Sequence, residues 1–165
     1  MSTLYSDFKQ VSEDLHRFKT ESDLRQAFVE ALKEELRRLK ICDARIVSLW
    51  LAPALDKYLK SGKPDIILSN LIIEVKRPGE DIGVGRKQLF NYMKELFEKL
   101  GGKVKVYGLL TNGKKAELYE YDGVKPKERY SGGMPEVSRR ALNEFCSQGR
   151  IPIVEAEDLI RLFSL

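Results

Sequence analysis

The chain has 165 residues, 42% of them hydrophobic and 33% charged, with a net charge of +4, which suits one soluble domain whose core needs no staple and mildly favours a polyanionic partner. No apolar run approaches the ~20 residues of a membrane span and no leader pattern opens the chain, so an intracellular protein without membrane contact is expected. Cys42 and Cys146 lie too far apart for a zinc cluster and the single His16 has no partner at ligand spacing, which sets aside His-based chemistry and leaves the cysteines as reduced thiols.

Leu4, Phe8, Val11, Leu15 and Phe18 recur at spacings of four and three, which predicts an amphipathic helix over residues 1–19, its stripe covering the domain or a dimer contact. A second helix opens with Thr20 or Ser22 as N-cap, and Leu24, Phe28, Ala31, Leu32, Leu36 and Leu39 form its buried face. Glu21 shares that stripe beside the helix N-terminus, where the macrodipole favours a carboxylate. Glu35 is on the same face and Glu30 points away. Residues 45–51 read as the first strand, with Trp50 in the core, and residues 53–62 connect it to an apolar hairpin at 63–76. Residues 77–85 form a breaker-rich loop, in which Gly83-Val84-Gly85 alone is no dinucleotide fingerprint.

The next helix runs to Leu100 and stops at Gly101-Gly102, with Leu89, Met93, Leu96, Phe97 and Leu100 as its core stripe. Gln88 and Tyr92, one turn apart, share an adjoining edge, and Arg86, Lys87, Lys94 and Lys99 give a basic side. Residues 103–111 and 116–121 flank Asn112-Gly113, a type I′ hairpin signal, and complete a mixed sheet with helices on its faces. Residues 125–134 are polar and contain Gly and Pro, which predicts a mobile loop, and residues 136–148 and 155–165 read as closing helices. The whole, 1–165, is one α/β domain: an N-terminal helix at 1–19, a core at 20–122, and a loop with closing helices at 123–165.

The hairpin carries the chemistry. If Ser69-Asn70 is the whole turn, Leu68 faces Leu71, Ile66 faces Ile73, Asp65 faces Glu74 and Lys63 faces Lys76. Cβ atoms so opposed lie ~5 Å apart and like charges there destabilise a sheet, so something positive should fill the gap. Lys76 shares the face of Glu74 by alternation. Two hard carboxylate oxygens beside an amine suit a divalent cation of the magnesium type. The plain alternative is a pair of solvated strand-end charges neutralised by Lys76.

Pro64-Asp65 followed by Glu74-Val75-Lys76 resembles the PD-(D/E)xK signature of the metal-dependent nuclease superfamily. The order of Glu74 to Glu80, then Gln88 and Tyr92, then Tyr107 to Gly113 and Glu117 to Tyr121 is similar to the nuclease domain at the N-terminus of type I restriction motor subunits. It also resembles RecB-like nucleases with a Gln-x-x-x-Tyr element. The likeness spans roughly residues 20–122. It implies a three-layer restriction-endonuclease-like fold with an αβββαβ core, a mixed sheet of about five strands and Mg²⁺ as cofactor, with Mn²⁺ able to substitute. By resemblance Glu21 is the acidic residue brought from the first core helix, and Gln88 and Tyr92 stand beside the carboxylates, towards the metal or its water and the substrate phosphate.

The expected function is hydrolysis of phosphodiester bonds, in DNA before RNA. Asp65, Glu74 and the Val75 carbonyl would be metal ligands, Lys76 would orient the water or offset phosphate charge, and Glu21 would hold a second ion or an outer water. Lys63, Arg77, Arg86 and Lys87 are candidate phosphate contacts. The alternatives are a non-catalytic nucleic-acid-binding or assembly module on a nuclease scaffold, and a dimeric junction-resolving endonuclease. A homodimer and a separate helicase or other DNA-processing protein are the candidate protein partners.

Overall fold

The computed structural model describes residues 5–39, 64–68 and 70–148. The expected strand at 45–51, the helix at 155–165, and Leu4, Cys42 and Lys63 lie outside those residues, as does the side chain of Cys146.

The first helix is shorter than its apolar spacing predicts. α1 spans Phe8–Glu13, with Asp7 as its N-cap accepting from the Gln10 amide at 2.8 Å. It ends at Asp14, whose carboxylate accepts from the Tyr5 hydroxyl at 3.2 Å, and a 3-10 turn at Leu15–Arg17 follows. Phe8 and Val11 are buried and Phe8 stacks on Phe28 at 5.0 Å between centroids, so this stripe packs within the chain. His16 is exposed in the turn, as expected.

α2 spans Glu21–Leu39. Thr20 is its cap: the hydroxyl accepts from the Asp23 amide at 3.1 Å, satisfying one of the donors left free at a helix start. Leu24, Ala27, Phe28, Ala31, Leu32 and Leu36 are buried at helical spacing.

The five described strands are β1 (Ile66–Leu68), β2 (Leu71–Val75), β3 (Val106–Thr111), β4 (Lys115–Tyr121) and β5 (Lys127–Gly133), and they lie side by side in that order. The sheet is mixed, with β2 and β3 parallel and the other neighbours antiparallel. The parallel pair needs a crossover, supplied by α3 (Arg86–Lys99). Every residue of β2 and β3 is buried, as expected of strands covered on both faces.

One face belongs to α3. A Cβ on Gly108 would stand 2.5 Å from the Met93 sulfur and 3.0 Å from Leu89 Cδ1, so only glycine lets this helix lie so close to β3. Alternation turns Tyr107 the other way, towards Glu144 of α4 (Met134–Gln148). α4 packs on β4 and β5, α1 bridges α2 to α4, and the Arg139 guanidinium joins α4 to Glu35 of α2 at 2.9 Å. Three layers result: α3, the sheet, and the group α1, α2 and α4.

Two expectations need correcting. Residues 127–133, expected as a mobile loop, form β5, a largely exposed margin strand. Arg129 ties it to Glu120 of β4 and Glu144 of α4, each at 3.0 Å, which gives a polar sequence its place in the sheet. The β3–β4 connection is 112–114 rather than a two-residue type I′ turn. There the Asn112 side chain accepts from the Lys114 and Lys115 amides at 3.0 and 2.9 Å, and Gly113 takes a φ of 88°. The stop of α3 follows the sequence, with Gly101 and Gly102 both at positive φ and donating to the Glu98 and Phe97 carbonyls.

Candidate metal-dependent active site

The hairpin register is the expected one. Leu68 pairs with Leu71 and Ile66 with Ile73, which sets Asp65 across from Glu74 one step further out. Each carboxylate is then pinned by the backbone of the other strand. Glu74 Oε1 accepts from the Asp65 amide at 2.9 Å, and Asp65 Oδ2 accepts from the Val75 amide at 2.8 Å. The remaining Asp65 oxygen, Oδ1, accepts from Arg25 Nη1 at 3.0 Å. The positive charge that two facing carboxylates require is thus a guanidinium from α2, a residue the sequence reading did not single out. Its signal was there: Arg25 stands four residues after Glu21, on the same side of the helix.

Glu74 is almost fully buried, and its carboxyl is pushed up to about 8 from an ordinary 4.5. Burial is the largest cause and the Asp65 charge the next. The Asp65 amide and the Lys76 ammonium pull the other way, and the Glu21 charge adds a further upward push. Three of the other expected residues, Asp65, Lys76 and Glu21, therefore act on Glu74 at this end of the hairpin. Glu35, the other carboxylate on the α2 face, does not join them. It is held between Arg38 at 2.6 Å and Arg139 at 2.9 Å in the α2–α4 contact.

Lys76 leaves β2 with its amide on the Thr111 carbonyl at 2.7 Å. Its side chain is half-buried and crosses Gly85, where a Cβ would meet Lys76 Cε at 2.7 Å and Leu110 Cδ1 at 2.8 Å. The Gly83-Val84-Gly85 stretch lies in a 3-10 turn, Ile82–Gly85, capped by the Asp81 carboxylate on the Gly83 amide at 2.9 Å. Its last glycine gives the lysine stem room. Asn112 Nδ2 donates to the Glu80 carbonyl at 2.8 Å and ties the preceding loop to the β3–β4 connection.

Tyr92 sits deeper than an edge position implies. It is fully buried, its hydroxyl accepts from Gln88 Nε2 at 2.7 Å, and its phenol is pushed up to about 12, by burial first and the Glu74 charge second. The Gln-x-x-x-Tyr pair thus forms one hydrogen-bonded unit under Glu74, with Gln88 at the exposed end.

No protein-family model, curated protein or solved structure matches this chain.

The candidate phosphate contacts divide. Arg77 and Lys87 are exposed and make no ion pair among the described residues, whereas Lys63 lies outside them. Arg86 is committed elsewhere. Its Nε and Nη2 donate to the two oxygens of buried Glu117 at 2.8 and 2.5 Å, fastening the start of α3 to β4. Glu117 in turn accepts from the Tyr119 hydroxyl at 2.6 Å.

Among the described residues no three His, Cys, Asp or Glu side chains form a ready-made metal cage. The donor set on the hairpin is two carboxylates and the backbone carbonyl of Val75 between Glu74 and Lys76. That set suits magnesium, which keeps several waters and takes one or two protein carboxylates, and not a zinc or calcium cage. The guanidinium on Asp65 Oδ1 marks where a cation is welcome.

Proposed function

We propose that the protein is a Mg²⁺-dependent phosphodiesterase acting on DNA, with Mn²⁺ able to replace Mg²⁺, and that its three layers are a restriction-endonuclease-like fold. The observation that carries the reading is the reciprocal pinning of Asp65 and Glu74 beside Lys76: the buried Glu74 carboxylate and the largely covered Asp65 carboxylate are fixed face to face at a strand end. A pair serving only solubility would be spread into solvent.

In this reading Asp65, Glu74 and the Val75 carbonyl hold the cation. Bound there, it supplies Lewis acidity, easing deprotonation of a water and offsetting charge that builds on the phosphate. The protein's own groups do the rest. Lys76, held by its stem against Gly85, directs its ammonium at the attacking water and the charged phosphate oxygens. Glu21 draws in an outer water or a second ion. Gln88 reaches the same water shell from α3, and the buried Tyr92 fixes Gln88 in place rather than touching the phosphate itself. Arg77, Lys87 and Lys63 follow the strand by its phosphates, and Arg86 acts only through the fold.

The test is incubation of the purified protein with single-stranded, duplex, flapped and branched DNA, with and without Mg²⁺ or Mn²⁺. Cleavage that needs the cation and is abolished by Asp65→Ala and by Lys76→Ala, both still folded, is the expected result. Metal-dependent cleavage retained by Asp65→Ala overturns the proposal. DNA shifted in a gel but never cut assigns the chain instead to the binding modules.

A further inference from the structure

Among the described residues, Arg25 carries a charge placed on the carboxylate pair without a role in the reading above. Its guanidinium takes the one Asp65 oxygen that the Val75 amide leaves open. The two partners differ in freedom: the Asp65 side chain is 10% exposed and the Arg25 side chain 41%. Asp65 is therefore fixed, whereas Arg25 can swing into solvent on its long stem. It leaves α2 one turn after Glu21, so any such movement stays beside the carboxylates.

We propose that Arg25 is a positioning residue that alternates between Asp65 and the substrate. It holds the Asp65 carboxylate in place while no cation is bound, then turns to a substrate phosphate once a divalent cation takes Oδ1. The inference rests on the nuclease reading. A guanidinium and a cation cannot share one oxygen without strong repulsion, so the two compete for it. A released guanidinium is well matched to phosphate, which it binds with two parallel N–H donors. The arrangement keeps the Asp65 carboxylate paired at all times, first by the arginine and then by the metal. It also couples cation arrival to the appearance of a phosphate-binding group.

The experiment is calorimetric titration of Mn²⁺ into the wild-type chain, Arg25→Met and Arg25→Lys, with folding checked by circular dichroism, and steady-state cleavage of duplex DNA at saturating Mn²⁺. Arg25→Met should bind Mn²⁺ more tightly by on the order of tenfold, because a half-exposed ion pair and a like-charge repulsion disappear together. Its KM for DNA should rise, with Arg25→Lys falling between it and wild type in both readouts. An arginine that merely braces the fold would give the opposite, weaker Mn²⁺ binding as Asp65 loosens. Equal or weaker Mn²⁺ affinity in a folded Arg25→Met overturns the competition, and an unchanged KM overturns the phosphate contact. Absence of Mn²⁺ uptake by all three proteins refutes the cation reading itself and this inference with it, an outcome distinct from uptake that Arg25 does not affect.

Discussion

Replacing Glu74 by Gln should stabilise the metal-free protein, although it removes a ligand of the proposed cation site. The amide keeps an oxygen for the Asp65 N–H and cannot ionise. The carboxyl, pushed up to about 8 in the folded chain from an ordinary 4.5, must keep a proton that the unfolded chain has already released. Stability from a raised carboxyl is therefore whole below pH 4.5 and is lost progressively as pH rises towards 8. At pH 7 the interval above 4.5 corresponds to about 3 kcal/mol at 1.36 kcal/mol per unit. For a domain of this size that is roughly 6–12 °C in Tm. Differential scanning calorimetry in EDTA between pH 4 and pH 9 checks it: the wild-type and Glu74→Gln curves should coincide near pH 4 and separate steadily towards pH 8. Saturating Mg²⁺ should raise the wild-type Tm and leave the variant unmoved. A Glu74→Gln protein no more stable than wild type at pH 7 and above, or a gap that does not change with pH, refutes the reasoning.

Gly85→Ala would drive a methyl to 2.7 Å from Lys76 Cε and 2.8 Å from Leu110 Cδ1. It should cost about 1–3 kcal/mol by overpacking and reduce cleavage further than unfolding alone explains, as read by Tm and by the rate at a temperature where both proteins are folded. Glu117→Ala should cost about 2 kcal/mol by leaving Arg86 without its anchor on β4, measured by urea unfolding at pH 7. The Arg86 guanidinium holds the Glu117 carboxyl below its ordinary value, so that stabilisation is present above the free carboxylate range and is lost as pH falls through the lowered value. The gap between wild type and Glu117→Ala should accordingly close in acid.

The hairpin was legible because a strand has a period of two: once the Ser69-Asn70 turn is placed, Ile66, Ile73, Asp65 and Glu74 have nowhere else to go. Gln88 and Tyr92 were legible as a pair for the matching helical reason, and the hydrogen bond between them follows from i, i+4 spacing. β5 was hidden because its sequence, Lys127–Gly133, lacks alternation of apolar and polar residues. A margin strand held by Arg129 and its two carboxylates needs little of it. α1 was overextended because apolar spacing continues through Leu15 and Phe18 while the helix stops at Asp14 and tightens into a 3-10 turn at Leu15–Arg17, which keeps Leu15 and Phe18 against the core without an α-helix. Arg25 was missed although its place four residues after Glu21 sets it on the right side of α2, because its partner Asp65 is 40 residues away in sequence and helix spacing alone does not name it. Arg86 looked like one cation in a basic stripe, and only the fold brings Glu117 beneath it.

The central claim is that Asp65 and Glu74 face each other in order to hold a divalent cation. Electron paramagnetic resonance of free Mn²⁺, titrated with the wild-type protein and with Asp65→Ala at pH 7.5, addresses it without relying on any substrate. The account predicts that the wild-type chain quenches the free-ion signal saturably and that Mg²⁺ restores it by competition, while Asp65→Ala leaves the signal at its protein-free intensity. A signal untouched by the wild-type protein, or quenched equally by both, would contradict it.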